Sequence, residues 1–520
     1  MELSRRDLLA AFLGATVACR ARPSKTPLPP GTLVGASFES GHRLRHELNI
    51  TPGRWIEHDV VICGGGVAGL VAAWRLNGID TIVLELEPAL GGTARSGVNA
   101  VSAHPWGAHY VPAPSPENRV LVRLLREMGV MDGDVPREEF LCRDPQERVF
   151  YRGRWYEGLY LTAGATDDDL RQLRAFEAEI AKWIDWRDAK GRRAFAIPTA
   201  LGTDDAEVTA LDSLSMAEWL DQHRFTSPRL RWFVEYGCRD DYGTLLGDTS
   251  AWAGLFYFAS RIPRAGADSE PFITWPEGNG RIVAHLGRNA RAMTGTLVTS
   301  IVARDDGADV IALRGDEAIG IRARRVIFAG PQFVAARVIR DRPHANEFTY
   351  GSWMVANLTL RDRPQSNGFP LAWDNVLYDS PSLGYVVATH QRGIDRGPTV
   401  LTYYYPLCDA DPHRARERLL ATGRDEWADI ALTDLERAHP DIRALTERID
   451  VMRWGHAMVR PRPNFVQSPA RLAAHEPWRT IHFANTDLSG LALVEESLWH
   501  GVRAGEEVLG ELGRPLDSWL

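Results

Sequence analysis

The stretch that decides the fold is VICGGGVAGLVAAW, residues 61–74, which begins well inside a chain of 520 residues. The apolar, partly β-branched run Val60–Cys63 predicts a buried parallel strand. A helix is predicted after it, from about Val67 to Leu76, and a second strand from Thr81 to Leu84. This strand–helix–strand order is typical of a βαβ unit.

Three glycines at the turn between strand and helix form the pattern GxGxxG. Gly64 permits the tight turn, Gly66 lets the backbone approach a pyrophosphate, and Gly69 lets the helix pack closely on the strand. The helix N-terminus, with the amides of Val67 and Ala68, would point at the phosphates. The pattern therefore predicts a dinucleotide-binding site.

An acidic residue closes the second strand of this unit. Glu85 follows Thr81–Leu84 directly, at the position where a carboxylate accepts hydrogen bonds from a ribose diol. The same carboxylate would repel a 2′-phosphate, which argues against NADP.

A second glycine pair, Gly91 and Gly92, follows in ELEPALGGTARSG. It resembles the glycine pair of flavoproteins with two dinucleotide-binding domains, and here the chain resembles the flavin-containing amine oxidase and phytoene desaturase superfamily. In this family an arginine follows the glycine pair, and here Thr93 stands at that position. The resemblance then implies that Arg95 makes the phosphate contact. The resemblance implies FAD as the cofactor.

Two further segments extend this resemblance. In PWGAHYVP, the pair Gly107 and Ala108 stands where the family's chain passes close to the isoalloxazine. In GTLVTSIVARDDGADVIALRGDEAIGIRARRVIFAG, the resemblance puts Val298 against the adenine, and Ala329 closes the nucleotide-binding strand.

The tail IHFANTDLSGLALVEESLWHGVRAGEEVL resembles the family's closing strand, acidic turn and final helix. The resemblance implies that Asp487 binds the ribityl–pyrophosphate region. A long helix is predicted from Leu491 to Leu512, with its N-terminus facing the pyrimidine edge of the flavin. There the helix dipole would stabilise a negatively charged reduced flavin by up to about 2 kcal/mol.

The scattered motifs predict an α/β fold in which a discontinuous, Rossmann-like FAD-binding domain accompanies an α+β substrate domain. The predicted FAD-binding domain comprises residues 58–112, 272–335 and 450–512, and the substrate domain comprises 113–271 and 336–449. Within the substrate domain, one helix is predicted from about Arg414 to His439.

Two aromatic residues are the predicted catalytic candidates. His109 follows the Gly-Ala pair, where it would act as a proton relay or form a structural hydrogen bond. Trp454 precedes the tail motif, where it would form a wall beside the flavin or the substrate, or pack as an ordinary core tryptophan.

Two polar clusters are further candidates for contacts to the substrate. The segment YGCRDDYGT predicts a glycine-bounded loop that clamps a cationic or zwitterionic substrate, or a solvated loop of ion pairs; it supplies Arg239, Asp240, Asp241 and Tyr242. The segment AWDNVLYDSPS predicts the wall of a polar pocket, or a turn at a sheet edge; it supplies Trp373, Asp374 and Tyr378.

The sequence departs from the family at the flavin. Only three lysines occur, none after Lys190, so the family's lysine beside the flavin has no match. The tyrosine that often follows the Ser-Gly of the tail is replaced by Leu491. No cysteine lies near the tail motif, so FAD is predicted to bind non-covalently.

The bulk composition excludes several classes of protein. A net charge of −8 gives no electrostatic footprint for nucleic acid. The five cysteines have no zinc-site or CxxC spacing, and the chain has no GxSxG motif. Metalloenzyme and hydrolase chemistry therefore have no support in the sequence.

The N-terminus resembles a twin-arginine export signal read by the Tat machinery. Arg5 and Arg6 precede an apolar run, Leu8 to Ala18, that is too short to span a bilayer, and prolines follow as a tether to about residue 30. An ordinary amphipathic first helix is the alternative. Cys19 follows TVA, which partly resembles a lipobox, so membrane attachment through a lipidated Cys19 stays open. The prediction is an exported protein of the periplasm or cell envelope.

The sequence thus predicts an exported FAD-dependent oxidoreductase of the amine-oxidase type. Its substrate is predicted to be a small amine, a polyamine or an amino acid, that gives up a hydride. Two alternatives stay open: a desaturase or dehydrogenase of a lipid or isoprenoid, and a flavin-binding protein without turnover.

Overall fold

The structure is a computed structural model that describes residues 27–520, apart from 36, 47, 49, 262–271 and 344–346. Arg5, Arg6 and Cys19 of the predicted export signal therefore lie outside the described residues. Within the described ranges, no helix has the length and apolarity needed to cross a membrane.

A seven-stranded sheet carries the dinucleotide motif. The parallel strands of this sheet come from three distant stretches of the chain. Antiparallel strands extend the sheet at one side. In spatial order its strands are Ala292–Met293, Thr81–Leu84, Arg54–Cys63, Glu317–Phe328, Ala308–Arg314 and Thr296–Ala303, with Ile481–Phe483 also paired to Glu317–Phe328.

The predicted βαβ unit is confirmed. Val60–Cys63 forms the buried end of the strand Arg54–Cys63 and pairs in parallel with Thr81–Leu84. The helix between them, the fingerprint helix, spans Val67–Arg75, and its residues from Val67 to Ala72 are buried. This burial of a continuous apolar strand is what parallel sheets require, because both of their faces are covered.

An eight-stranded sheet forms a second layer of structure. Its central strand, Tyr350–Leu360, is buried along its whole length because its two faces pack against different partners. Met354 and alternate residues after it pack with the helices Pro412–Ala421 and Arg424–Glu436, while Trp353 packs on the opposite face. In spatial order the strands are Leu33–Gly35, Thr446–Val459, Tyr350–Leu360, Thr399–Pro406, Gly384–Val387, Asp374–Leu377, Glu147–Tyr151 and Arg154–Glu157.

A cluster of helices packs beside this sheet around its own apolar core. The longest, Asp167–Asp185, starts with a capping box between Thr166 and Asp169. This confirms that its acidic first turn marks a helix N-terminus. The helices of this cluster are Asp167–Asp185, Ala206–Thr209, Met216–Gln222, Pro228–Tyr242 and Ala251–Ala259.

The final helix, here the tail helix, spans Val494–Glu511 and packs on the fingerprint helix. A Cβ on Gly501 would lie 2.6 Å from the carbonyl oxygen of Ala68, so only glycine permits this approach. The prediction of a helix in the tail is confirmed, with a start three residues later than Leu491.

Two details differ from the sequence predictions. The prediction of a single helix from Arg414 to His439 is wrong. The first of two helices ends at its C-cap Thr422, and the second begins after its N-cap Gly423. Residues 450–459 belong to the strand Thr446–Val459 of the eight-stranded sheet, although they were assigned by sequence to the FAD-binding segment 450–512.

The other elements are short. The remaining strands pair as Phe272–Thr274 with Tyr110–Pro112, Ser96–Val98 with Ala103–Pro105, and Met131–Asp132 with Val135–Pro136. The remaining α-helices are Phe38–His42, Arg119–Glu127, Gly280–Gly287, Gln332–Val338, Ile442–Leu445 and Pro469–Ala473. The 3-10 turns are Arg43–Arg45, Gly92–Ala94, Glu138–Phe140, Thr199–Leu201, Ala210–Ser213, His390–Arg392 and Thr486–Leu488.

Candidate active site

The glycine-rich loop leaves an open space before the fingerprint helix. Gly64 has a φ of +117°, which strains any other residue. A Cβ on Gly69 would lie 2.0 Å from the carbonyl oxygen of Gly64, so that glycine serves packing. A Cβ on Gly66 would meet nothing nearer than the Cα of Gly92, at 4.0 Å. The protein itself does not fill the space at Gly66, where a phosphate would approach the helix N-terminus.

The two glycine loops meet at this space. Gly66 and Gly91 form an isolated parallel bridge, and the amide of Gly91 donates to the carbonyl oxygen of Gly65 at 2.8 Å. Val67 and Ala68 are the first residues of the helix, so their amides have no acceptor within it. The predicted phosphate contacts are thereby brought together.

Glu85 ties the first glycine loop to the strand that follows. Its carboxylate accepts hydrogen bonds from the amides of Gly65 at 2.6 Å and Glu87 at 2.8 Å. Burial raises the pKa of Glu85, and these two amides oppose the rise. Its carbonyl oxygen accepts from the amide of Thr296, at the start of the strand that carries Val298.

Arg95 lies between the second glycine loop and Trp454. Its Nη1 pairs with Oε2 of Glu87 at 3.2 Å, and its guanidinium lies 5.2 Å from the centroid of the Trp454 ring. The side chain is only 10% exposed, yet its Nε and Nη2 have no hydrogen-bond partner among the described residues. Two donor nitrogens of Arg95 are therefore buried without an acceptor among the described residues.

The tail turn is fixed by Asp487. Its carboxylate accepts hydrogen bonds from the amide of Gln332 at 2.8 Å and the hydroxyl of Tyr350 at 2.5 Å. Burial raises the pKa of Asp487 to about 6. Asn485 joins the turn to the parallel sheet by donating to the carbonyl oxygen of Ala329 at 3.1 Å.

A cavity, here the inner cavity, opens between the tail helix and the eight-stranded sheet. It brings together several residues that the sequence singled out, namely Gly107, Ala108, His109, Asp240, Asp241 and Trp454. Val494, the first residue of the tail helix, also lines it. The helix N-terminus therefore lies at the wall of this cavity, and its predicted position at the pyrimidine edge of the flavin stays a prediction.

His109 is an aromatic wall residue of the inner cavity. Its ring stacks on Tyr404 with centroids 4.8 Å apart, and its Nδ1 lies 3.3 Å from the carbonyl oxygen of Gly107, to which it donates. Burial lowers the pKa of His109 to about 4. The imidazole is therefore neutral at physiological pH.

Trp454 lines the same cavity and is anchored from behind. Its indole Nε1 donates to the carbonyl oxygen of Trp106 at 2.6 Å. His456, two residues later, instead stacks on Phe333 at 4.2 Å and does not line the cavity. Of the two neighbouring aromatic residues, only Trp454 has a place at the site.

A larger cavity, here the outer cavity, lies beside the inner one. The two share the lining residues His109, Tyr110, Pro112, Asp240 and Arg261. Aromatic side chains form a large part of the outer wall, among them Tyr160, Phe176, Phe233, Tyr236, Tyr257, Phe258, Phe272 and Trp373. Four carboxylates also line it, namely Glu147, Glu177, Asp240 and Asp374.

Two of these carboxylates are neighbours in the sheet. Glu147 and Asp374 are register partners on adjacent parallel strands, so their side chains leave the same face. Like charges placed side by side on a sheet are destabilising. Neither carboxylate forms an ion pair with a cationic side chain of the described chain. Asp374 accepts a single side-chain hydrogen bond, from the hydroxyl of Tyr236 at 2.9 Å.

The pKa values of three carboxylates that line the outer cavity are raised. Burial raises the pKa of Asp374 to about 8, with the charge of Glu147 adding to the rise. Burial likewise raises the pKa of Glu147 to about 7, with Asp240 adding. Burial, together with the neighbouring Asp241, raises the pKa of Asp240. A cation placed among these groups would lower all three values.

Arg261 is the cationic side chain at the junction of the two cavities. It pairs with Asp241, with 2.7 Å between Nη2 and Oδ2, and its guanidinium lies 4.6 Å from the centroid of the Tyr257 ring. Burial raises the pKa of Asp241, and Arg261 opposes that rise. Arg261 forms its ion pair with Asp241, and its charge also opposes the rise in the pKa of Asp240, although the two form no ion pair in the described ranges.

The prediction of a loop for the RDDY cluster is wrong. Arg239, Asp240, Asp241 and Tyr242 form the last turn of the helix Pro228–Tyr242, which ends at Gly243 with a φ of +62°. The helix forms because apolar residues recur at helical spacing and are buried on one face. Only the two aspartates line the cavities, since Arg239 points to the carbonyl oxygens of Ser380 and Ser382.

The second polar cluster is neither a turn nor an edge. Asp374–Leu377 is a strand between two others, and Trp373 and Asp374 line the outer cavity. Tyr378 lies outside it and stacks on Trp232 at 4.3 Å.

The sequence did not indicate Glu147, Tyr236, Tyr257 or Tyr404. Each is a single polar or aromatic residue in an otherwise ordinary strand or helix. The one local signal is the charge of Glu147, which precedes the apolar run of a strand and has no partner of opposite charge at strand spacing.

Comparison with known proteins agrees with this geometry. A model of the flavin-containing amine oxidoreductases matches residues 67–509. The chain belongs to the flavin-containing amine oxidoreductase family. Among curated proteins no match was found.

Solved structures with the same fold include two amine oxidases. Wild-type putrescine oxidase bound to putrescine shares 16% sequence identity at a TM-score of 0.62, over 88% of this chain and 100% of that chain. Cyclohexylamine oxidase from Brevibacterium oxydans shares 17% identity at a TM-score of 0.62 over the same shares of the two chains. At this identity the likeness establishes the fold.

Membership of this family makes the protein an FAD-dependent oxidoreductase, and two features of the chain fit FAD. The space at Gly66 is open, and Arg95 presents two unpartnered donors beside it. Cys63, Cys142, Cys238 and Cys408 are free thiols, and none lines the inner cavity, so FAD is bound without a covalent link through them. No cluster of three or more metal-ligating side chains occurs in the part of the chain that the structure describes.

Proposed function

We propose that this family member oxidises a small cationic amine, with a diamine or polyamine favoured over a monoamine. The observation that carries the proposal is a group of three carboxylates, Glu147, Asp240 and Asp374, that line the outer cavity and form no ion pair with a cationic side chain among the residues that the structure describes. A buried charge that lacks a partner is costly. An ammonium group of the substrate would supply the missing charge.

The positions of the carboxylates favour a substrate with two charges. Glu147 and Asp374 line only the outer cavity, whereas Asp240 lines both cavities. One ammonium group would lie between Glu147 and Asp374, and the reacting nitrogen would lie beyond Asp240 in the inner cavity. The intervening methylene chain would pack on the aromatic wall, whose ring faces also attract cations.

The chemistry supplied by FAD, when bound, is acceptance of the hydride from the carbon next to the nitrogen. Before this, the substrate ammonium must lose a proton so that the nitrogen lone pair can form the C=N bond. Asp240 is placed to accept this proton, because it lines both cavities and burial raises its pKa. The product is an imine, which water converts to an aldehyde with release of ammonia from a primary amine, or of the remaining amine from a secondary one.

The aromatic residues of the inner cavity position the substrate. Tyr404 and His109 form a stacked pair, and Trp454 is held by its bond to Trp106. Because the pKa of His109 is lowered to about 4, this histidine does not compete for the substrate's proton. Its role in the proposal is to shape the wall.

The same carboxylates argue against a lipid or isoprenoid substrate. A hydrocarbon in the outer cavity would give Glu147 and Asp374 no counter-charge, so both would stay protonated, whereas an amine would pair with their ionised forms. The amine oxidases among the solved structures of the same fold also support an amine substrate.

We propose, in addition, that the protein is exported. The support is the twin-arginine pattern at Arg5 and Arg6 with its short apolar run. Attachment through a lipidated Cys19 belongs to the same proposal and would keep the protein at a membrane surface.

An anaerobic screen of substrates against the purified flavoprotein tests the proposed function. Under anaerobic conditions an oxidised substrate bleaches the flavin absorbance, so each compound reports directly on hydride transfer. We expect bleaching by diamines and polyamines, and none by a long-chain polyene. Bleaching by the polyene alone, or by no compound, would contradict the proposal.

A further inference from the structure

The N-terminal strap, defined as Leu28–Gly35 and Ser37–His46, connects the two large sheets. At its first end the amides of Ile449 and Val451 donate to its carbonyl oxygens, and Leu33–Gly35 pairs in parallel with the eight-stranded sheet. Thr32 donates from its amide and its hydroxyl to Asp450, each at 2.7 Å. This end of the strap is an integral edge of the sheet.

The second end of the strap reaches the seven-stranded sheet. Leu44 packs against the apolar core of that sheet, and its carbonyl oxygen accepts from Arg337 at 3.4 Å. Between the two ends, the ring of Phe38 lies 5.3 Å from the guanidinium of Arg453. The strap therefore crosses the FAD-binding side of the fold in a fixed position.

At the crossing the strap contacts the second glycine loop through one residue. The amide of Ser37 donates to Oε1 of Glu87 at 2.7 Å, and its hydroxyl donates to Oε2 at 3.2 Å. Oε2 of Glu87 also pairs with Nη1 of Arg95 at 3.2 Å. Ser37, Glu87 and Arg95 thus form a continuous chain of hydrogen bonds.

These hydrogen bonds fix the orientation of the Arg95 guanidinium and thereby determine which of its nitrogens stay free. With Nη1 bound to Glu87, only Nε and Nη2 are without partners, and both are buried. The side chain passes the second glycine loop, since a Cβ on Gly91 would lie 3.0 Å from Cγ of Arg95. Two adjacent guanidinium nitrogens match the oxygens of a pyrophosphate.

We propose that the strap is part of the FAD site, with Ser37 and Glu87 as positioning residues that hold Arg95 against the pyrophosphate. The strap immediately follows the N-terminal stretch 1–26, so cofactor retention depends on chain that lies outside the βαβ unit. Neither the glycine motifs nor Glu85 indicates that the strap contributes to FAD binding.

A double-mutant cycle on FAD affinity tests the proposal. The apoprotein is titrated with FAD and, separately, with riboflavin, which lacks the pyrophosphate. We expect Arg95→Ala and Glu87→Gln each to raise the Kd for FAD roughly tenfold or more, the scale of one charge-assisted hydrogen bond. Neither should change the Kd for riboflavin.

The cycle separates positioning from a merely structural role. If Glu87 acts through Arg95, then Glu87→Gln should have no further effect on FAD affinity in the Arg95→Ala background. Equal weakening in both backgrounds, or tighter FAD binding by the Glu87→Gln variant alone, would overturn the proposal. Glu317→Gln is the matched control, because it removes an exposed pair with Arg54 at the far end of the seven-stranded sheet.

Variants of Ser37 extend the test to the strap itself. Ser37→Ala removes only the longer of the two bonds to Glu87, whereas Ser37→Pro removes both and suits the φ of −70° at this position. We expect FAD affinity to fall in the order wild type, Ser37→Ala, Ser37→Pro, with riboflavin affinity unchanged. Wild-type FAD affinity in a folded Ser37→Pro variant would also overturn the proposal.

Discussion

Glu147 and Asp374 stand side by side on adjacent parallel strands, with their carboxylates in one cavity and no cationic side chain of the described chain paired to either. A fold gains nothing from such an arrangement by itself, because two neighbouring carboxylates repel each other when ionised. The arrangement is explained if the cavity binds a cation. The proposed amine function follows from this relationship more than from any single motif.

Replacing one of these carboxylates should weaken binding of a diamine selectively. We expect Asp374→Asn to raise the KM for a diamine roughly 10- to 100-fold, the scale of one lost charge-assisted contact, because the distal ammonium loses its partner. The KM for a monoamine of equal length should change little, since it has no distal charge. Steady-state kinetics with both amines measure the difference.

Asp221→Asn is the matched control for this substitution, because Asp221 is an exposed partner of Arg231 at the surface. It should leave both KM values unchanged. Equal changes for diamine and monoamine in the Asp374→Asn variant would contradict a distal ammonium site.

The raised pKa values predict how stability depends on pH. The pKa values of about 7 for Glu147 and about 8 for Asp374 lie above those of an unfolded chain. Their contribution to stability is therefore full below about pH 4 and is lost as the pH rises through 7 to 8. The Tm of the protein without substrate should fall between pH 6 and 9, and less so after Glu147→Gln and Asp374→Asn together.

A diamine should reverse this trend, because it binds the ionised carboxylates. The rise in Tm caused by a saturating diamine should be larger at pH 9 than at pH 6. A stabilisation that is larger at pH 6 would contradict the assignment of these two groups.

Two glycines of the fingerprint should respond differently to added side chains. Gly66→Val should abolish FAD retention while the apoprotein still folds, because the Cβ position at Gly66 is open in the protein. Gly69→Ala should prevent stable folding, since its Cβ would lie 2.0 Å from the carbonyl oxygen of Gly64. Flavin absorbance and the Tm of the apoprotein distinguish the two effects. A yellow Gly66→Val variant would refute the phosphate position.

Export can be tested separately from catalysis. Replacing Arg5 and Arg6 together with lysine should retain the protein in the cytoplasm, because the twin arginines are the feature that the export machinery recognises. Cell fractionation with flavin absorbance as the marker measures this. Unchanged export would refute the proposed export signal and would leave the proposed enzymatic function unaffected.

The βαβ unit of the cofactor side is predictable from sequence because its residues lie in one local motif. The strand Val60–Cys63, the glycine loop and Glu85 are contiguous, and a βαβ unit positions them by itself. The tail helix follows the same logic. Its observed start, Val494, lies close to the predicted start, Leu491.

The substrate side is not predictable in this way. Glu147 and Asp374 are far apart in sequence and meet only through the register of two strands. Asp240 was singled out, but as part of a loop, because helix Pro228–Tyr242 carries charged residues whose burial depends on tertiary packing. Sequence patterns describe single elements, and this cavity is made between elements.

The most direct test of the central claim compares two amines of equal length on the wild-type flavoprotein. Anaerobic titration with 1,4-diaminobutane and with n-butylamine measures, from loss of flavin absorbance, the concentration of each that half-reduces the protein at pH 8. The carboxylate pair predicts that the diamine acts at a concentration at least roughly tenfold lower, the scale of one charge-assisted contact. Equal concentrations, or an oxidised flavin with both amines, would contradict the account.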